Sequence, residues 1–311
     1  MLSPLLLLAL MADLALWAWV AMRLVSQGAS PIAGGGLAVA GFLGWKALLL
    51  ATLYIAARLH GGARTIRARA VLTEYLSFLA LFVLMQPFER LWMGRDRDTA
   101  SRKPPVLLVH GYLCNRAAWW WIRRGLTRHG LGVAALNLEP PFGGLDAFAG
   151  QIRSRLDALL AASGADRAVL VAHSQGGVAC LAALRSFGPH GVARLVTVAA
   201  PFRGTWTARL GLGLNARDLE PDSAWMRALS ADSGSPVPTM TIWSDGDNVI
   251  APCDSSRLTG ARNIVLDGVG HLSLLFSRRV LDLLAAEAVA ATDEYRAEAA
   301  RRQPDPGSGL R

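Results

Sequence analysis

Residues 168–177, AVLVAHSQGG, decide the fold. Five apolar residues lead into His173-Ser174-Gln175-Gly176-Gly177, and the helical pattern VACLAALRSF follows. An apolar strand, a tight turn and a helix with serine at the apex form the context a nucleophile elbow requires. Bulky residues do not fit beside such a turn, and Ala172 and Gly176 flank it here. The helix that follows brings its positive end toward the serine. In a chain this rich in Ala and Gly the pentapeptide carries weight through its placement, not its composition.

Outward from residue 174 the same grammar repeats. Strands are expected at 106–109, 133–136, 168–172, 195–198, 239–243 and 263–266. Helices are expected at 117–128, 145–162, 177–187 and 277–300. Alternation of this kind argues for βαβ units, hence an α/β fold with a six-stranded, mostly parallel sheet. Chemistry in such sheets sits at the carboxyl ends of the strands.

Serine needs a base to become a nucleophile. His271, in GVGHLSLLFS just past the last expected strand, has the chain position for that role. His110 ends the first strand and His173 abuts the serine; His60, His129 and His190 lie in the apolar N-terminal region or at helix ends. The base in turn needs an acid to hold its tautomer. TIWSDGDNVI offers Asp245 and Asp247 directly after a strand, with Asp254 and Asp267 further on. An Asp-Gly pair is ordinarily a turn former, a role that suits Asp245 better than Asp247. Two backbone N–H groups are required for a developing oxyanion: that of Gln175, after the serine, and one from the loop after the first strand, where Tyr112 is the candidate. As a plain alternative, His110-Gly111 is a strand-exit turn with a packed histidine.

The segments VLLVHGY, VLVAHSQGG, VTVAAPFRGT, TIWSDGDNVIAP and GVGHLSLLFS, in this order, resemble the α/β-hydrolase superfamily. Within it the chain is similar to the small bacterial lipases and esterases that have almost no lid. The resemblance covers residues 105–285 and implies Ser174 as nucleophile, Asp247 as acid, His271 as base and the N–H groups of Tyr112 and Gln175 as oxyanion donors. It implies an ester-cleaving enzyme with no metal or organic cofactor. An acyltransferase or thioesterase with the same machinery, or a non-catalytic membrane scaffold, are the alternatives. Those lipases are secreted and soluble, and this chain departs from them at its N-terminus.

The hydrophobic fraction is 52% and the charged fraction 18%, and the excess of apolar residues lies before residue 95. Residues 4–22 and 36–57 are each apolar save one residue, Asp13 and Lys46. Each run is long enough to cross a bilayer, which takes about 20 residues. A cleaved signal peptide would need a basic start and a shorter core, and no Lys or Arg precedes Arg23. If the two spans form a hairpin turning in SQGASPIAGG, Asp13 and Lys46 reach similar depth. Two fates are open to them, pairing or separate snorkelling. Arg58, Arg64, Arg67 and Arg69 follow the second span, which argues for a cytoplasmic location of that side in a bacterial inner membrane. The apolar run within 72–88 reads as an interfacial or third apolar helix, shorter than the others and closed by Pro87. The expected organisation is a helical anchor over 1–94, a catalytic domain over 95–302 and a disordered tail over 303–311.

The net charge of +9 comes almost wholly from arginine, since Lys46 and Lys103 are the only lysines. Without basic blocks or RNA-binding aromatic motifs it points to anionic lipid rather than nucleic acid. The expected partners are a lipid or acyl-ester substrate and the membrane, with no obligate protein partner. Cys114, Cys180 and Cys253 are too few and too scattered for a disulfide framework or zinc site. Trp119, Trp120 and Trp121 read either as helix packing or as an acyl-pocket wall, and the loop 138–144 as a pocket edge or a rigid turn. The insertion 202–238 is short, which predicts a small cap and a shallow, open site.

Overall fold

The computed structural model describes residues 1–94, 96, 104–231 and 234–302. Its first two helices, α1 (Leu2–Ser26) and α2 (Pro31–Leu59), form an antiparallel hairpin. Helix α2 begins five residues before the apolar run, because Ser30 caps it, accepting from the Ala33 N–H at 3.2 Å, and Pro31 takes the first helical position. Gly41 lies directly beneath the Trp17 indole: a Cβ there would meet the ring at 2.0 Å. Small residues of this kind let membrane helices approach closely. Within the hairpin Lys46 Nζ meets Asp13 Oδ2 at 2.6 Å, and Trp45 Nε1 donates to Asp13 Oδ1 at 3.0 Å. The pairing alternative is the one the fold adopts.

Helix α3 (Ala68–Leu79) continues into a wider turn over Ala80–Met85, and the short α4 (Glu89–Met93) follows. The stretches Leu2–Ser26, Pro31–Leu59 and Ala68–Met85 are all long and apolar enough to cross a membrane. The third differs in what it buries. Glu74, Ser77, Leu81 and Met85 face the α/β domain, and Leu81 and Met85 join its core. The Gln86 side chain and carbonyl receive the N–H and amide of Asn115 at 2.8 and 2.9 Å, tying this segment to the loop after the first strand.

Six parallel strands follow: β1 (Val106–Val109), β2 (Val133–Leu136), β3 (Ala168–His173), β4 (Val192–Val198), β5 (Thr239–Ser244) and β6 (Arg262–Leu266), in spatial order β2-β1-β3-β4-β5-β6. All but β4 begin within one residue of their expected starts; β4 starts three residues early. Side chains alternate between two cores. Leu108, Val171, Val196 and Ile242 join one; Leu107, Val109, Leu170 and Leu195 join the other. Burial on both faces explains why the central strands read as continuous apolar runs. The first core is covered by α5 (Trp120–Arg128) and α10 (Arg278–Arg302), the second by α6 (Leu145–Ser163) and α7 (Gln175–Phe187). The insertion after β4 folds into a 3₁₀ turn over Trp206–Leu210 and two short helices, α8 (Leu214–Asp218) and α9 (Ala224–Ala231), as a small cap. The expected disordered tail at 303–311 lies outside the described residues, as do residues 97–103 near the expected start of the catalytic domain.

Candidate active site

The turns after β1, β3, β5 and β6 meet at the carboxyl edge of the sheet. Ser174 follows β3 directly with φ +53° and ψ −128°, a conformation that L residues avoid. Strain of this kind costs on the order of 1–3 kcal/mol and persists only where the surroundings over-determine it. Those surroundings are visible. The Ser174 N–H donates to the Val198 carbonyl at 2.8 Å. A Cβ on Gly176 would lie 2.5 Å from the His110 carbonyl oxygen, and one on Gly177 would lie 2.5 Å from the Ala200 side chain. Glycine at both positions lets α7 start against β1 and the end of β4.

Asp247 and His271 are both buried, and His271 Nδ1 lies 2.8 Å from Asp247 Oδ2. The other carboxylate oxygen of Asp247 accepts from the N–H groups of Val249 and Ile250, each at 2.8 Å. Asn248 Oδ1 receives the His271 N–H at 3.0 Å. Burial works against a charged imidazole, but Asp247, and beyond it Glu74, outweigh that penalty and raise the His271 pKa above its ordinary 6.5. Asp245 points elsewhere: it receives the Thr65 hydroxyl at 2.7 Å and the Gly268 N–H at 2.6 Å. Asp254 and Asp267 pair with surface arginines.

The remaining histidines divide by the same test. His110 is buried; its Nε2 receives the Leu138 N–H at 3.0 Å, and its Nδ1 lies 2.9 Å from the Gly111 carbonyl. Burial pushes its pKa down to about 4, so this ring is a neutral packing element. The His173 ring lies 4.6 Å from that of His271, and burial, then the neighbouring imidazole, hold it well below 6.5. His60 stacks on Trp206 at 3.9 Å.

Ser174 and His271 line one cavity of about 480 Å³, together with Tyr112, Leu113 and Asn248. Among the described residues no hydrogen bond joins the Ser174 hydroxyl to His271 or to another group, although both residues line the cavity. Gln175 opens α7, where first-turn N–H groups have no acceptor within the helix. Leu113 holds φ +51° just after Tyr112, turning that loop sharply beside the serine. Cys114 also reaches the cavity, but burial pushes its thiol up to about 12, so it stays a neutral thiol. A neighbouring cavity of about 560 Å³, lined by Arg69, Ser77 and Phe276, contains none of these groups.

One expectation about the surroundings changes, and two alternatives left open by the sequence are decided. The site is not shallow and open, because the side the small cap leaves bare is walled by Leu6 of α1, by Leu49, Leu50 and Leu53 of α2 and by Phe78 and Phe82 around α3. The three tryptophans do not line it. Trp119 is fully buried in the core, and Trp120 packs edge-on against Trp92 at 5.1 Å. The loop 138–144 lies off the cavity too, and Pro141 there accepts from Asn215, whose amide also donates to the Gln175 side chain at 3.0 Å.

Glu74 is the residue the sequence alone did not bring forward. It is fully buried and accepts from the Leu272 N–H at 2.9 Å, the Ser273 N–H at 2.8 Å and the Ser273 hydroxyl at 2.7 Å. It thereby holds the turn that carries His271. It also accounts for Gly270, where a Cβ would fall 2.4 Å from its carboxylate. The signal was an ionisable residue set in an apolar helix, which ordinarily marks a partner.

Residues 104–210 match the family model of the alpha/beta hydrolase fold. Among solved structures the chain is similar to the mature form of the Bacillus licheniformis lipase BlEst2, with 16% identity, a TM-score of 0.53 and coverage of 60% of this chain and 93% of that one. It is also similar to Aspergillus fumigatus lipase B, with 19% identity, a TM-score of 0.56 and coverage of 62% of this chain and 54% of that one. At such identities the likeness is one of fold. A six-stranded parallel sheet with a tight strand-turn-helix after its third strand, the family match and these neighbours together establish that the chain beyond residue 104 has the α/β-hydrolase fold, behind helices apolar enough to span a membrane.

Proposed function

We propose that this chain is a membrane-anchored serine hydrolase of carboxylic esters with lipid-like substrates. The observation that carries the reading is a serine in strained backbone geometry, facing a mostly apolar cavity shared with a histidine bound to a buried aspartate. Ser174 Oγ attacks the acyl carbon and passes its proton to His271 Nε2. Asp247 holds Nδ1–H and stabilises the imidazolium. The N–H groups of Tyr112 and Gln175 receive the oxyanion as it forms. His271 then protonates the departing alcohol, leaving an acyl group on Ser174, and a water activated by the same imidazole releases the acid. No step calls for a metal or organic cofactor.

Membrane attachment is inferred from α1 and α2, whose leucines face outward: Leu8 is 68% exposed and Leu48 68%. The Lys46–Asp13 pair, about 20 Å from the end of α2, sits near mid-bilayer in a helix of this rise per residue. The arginines after α2 argue for a domain on the cytoplasmic face.

A fluorophosphonate probe tests the chemistry. Full-length protein in detergent should label, and Ser174→Ala should not. An ester, thioester and phospholipid panel with competing alcohols then separates hydrolysis from acyl transfer. A wild-type protein that fails to label, while a lipase control does, sinks the reading and favours a scaffold.

A further inference from the structure

Helix α2 has two inward surfaces. Gly34, Gly41 and Lys46 meet α1, whereas Leu49, Leu50 and Leu53 meet the cavity. Leu50 is 3% exposed although Leu48 and Ile55 on the same helix are 68% and 62% exposed. Opposite them, Phe78 and Phe82 stand one turn apart with rings 4.8 Å from centroid to centroid. This wall is held in register with the reacting groups. Glu74, one turn before Phe78, binds the turn of His271, and the segment leaving α2 bonds to the acid loop, with Ala63 N–H to the Asp247 carbonyl and Arg64 N–H to the Asp245 carbonyl at 2.7 Å each.

We propose that the N-terminal helices supply the acyl-chain site, and that its ligand is the long fatty-acyl chain of a bilayer lipid. The chain lies between α2 and Phe78/Phe82, with its carbonyl at Ser174. This rests on the ester-hydrolase reading for the carbonyl end only. Leu53 lies about 9 Å from the end of α2 along its axis, which sets the wall within the outer part of a leaflet rather than in water. The occupant follows from the walls. Leucine and phenylalanine line the far side, with Thr52 and Glu74 as their polar members, and Glu74 has its oxygens engaged by Leu272 and Ser273. Such a surface favours methylenes over a polar head group. The hairpin is thus part of the site as well as its attachment.

The test uses full-length protein in nanodiscs and p-nitrophenyl esters from butyrate to palmitate. Wild type should prefer long chains. Leu53→Trp, which fills the groove, should lower the palmitate-to-butyrate ratio of kcat/KM by about tenfold or more, the scale at which pockets sense a few methylenes. Phe82→Ala, which widens it, should raise the ratio for the longest or most branched chains. Leu8→Trp, on the outward face of α1, should leave the ratio unchanged. Equal ratios in wild type, Leu53→Trp and Phe82→Ala would overturn the proposal. A second readout does not depend on turnover: a diazirine-bearing fatty acid photolysed with Ser174→Ala protein should mark residues 49–53 and 78–82. Marking confined to outward positions such as Leu48 and Ile55 would overturn it as well. Marking at the cavity without any ester cleavage by wild type would leave the chain site standing and remove the hydrolase.

Discussion

Two of the clusters of buried charge in this molecule are arranged differently. In the hairpin Lys46 and Asp13 satisfy one another, with Trp45 donating to the acid and the Phe42 carbonyl accepting from the base. Nothing in that arrangement is left to react. At the carboxyl edge of the sheet, Asp247 and Glu74 accept from backbone N–H groups on the acid and histidine loops, and His271 gives Nδ1 to Asp247. His271 lines the cavity together with Ser174. Closed pairs stabilise helix association in an apolar medium. Open ones fix a titratable ring while leaving part of it unpaired, and under the proposed chemistry their removal should show in rate before it shows in stability.

The strongest test of that difference is Asp247→Asn. It should lower kcat by about 10⁴, the scale set by loss of the correct histidine tautomer. Asp245→Asn should lower it far less, because Asp245 binds Thr65 and Gly268 instead of the imidazole. Steady-state ester kinetics read both, and the reverse order would overturn the assignment of the acid. Next is Glu74→Ala, which takes away the acceptor shared by three donors on the histidine turn. A loss of about 10² in kcat with a smaller change in KM is expected from misplacing the base by a fraction of an ångström. Glu74→Gln, which keeps an acceptor, should recover part of it. Equal loss in both variants would point to charge rather than position.

The closed pair should answer in the opposite way. Asp13→Asn leaves an ammonium uncompensated in an apolar helix, a cost of about 2.5–3.5 kcal/mol on insertion scales. Lys46→Met with Asp13→Asn together should be milder than Asp13→Asn alone. Protease protection in membranes checks both, with ester turnover of the inserted protein within about threefold of wild type, as expected for sites without shared partners. Strong loss of turnover in correctly inserted double variant would erase the distinction between the two groups.

The smallest effect is on pH dependence. Asp247 and Glu74 raise the His271 pKa above 6.5, while the neighbouring His173 stays neutral. Only the neutral imidazole accepts the serine proton, so kcat/KM should fall as pH drops through a value above 6.5. Glu74→Gln removes one of the groups that raise it, so the acidic limb should move to lower pH. A shift to higher pH would contradict the sign.

The six strands were legible because a parallel sheet buried on both faces demands unbroken apolar runs, and Gly, Pro and Asp separate them cleanly here. The elbow was legible for a local reason: Ser174 must follow a strand at once and be flanked by residues as small as Ala172 and Gly176. Helix α2 starts earlier than its hydropathy suggests because Ser30 and Pro31 set the boundary through capping, which apolar counting does not see. The cap was correctly expected to be small. The conclusion that the site would be open did not follow from it, because the missing wall comes from residues more than a hundred positions upstream. The tryptophan triplet shows the limit of composition. Periodicity cannot tell a core ring from a pocket ring, and Trp119 belongs to the core.

What the sequence determined alone was everything governed by short range: the strand-turn-helix around Ser174, the order of the motifs, and the length and apolarity of the N-terminal helices. What only the tertiary structure decided was association across the chain: that Glu74 reaches the turn carrying His271, and that Leu53 and Phe82 close the cavity. Local preference follows from backbone sterics and hydrophobic period, which act over a few residues. Choice of partner depends on which surfaces the whole packed fold brings within a few ångströms, and that distance is not written in any one segment.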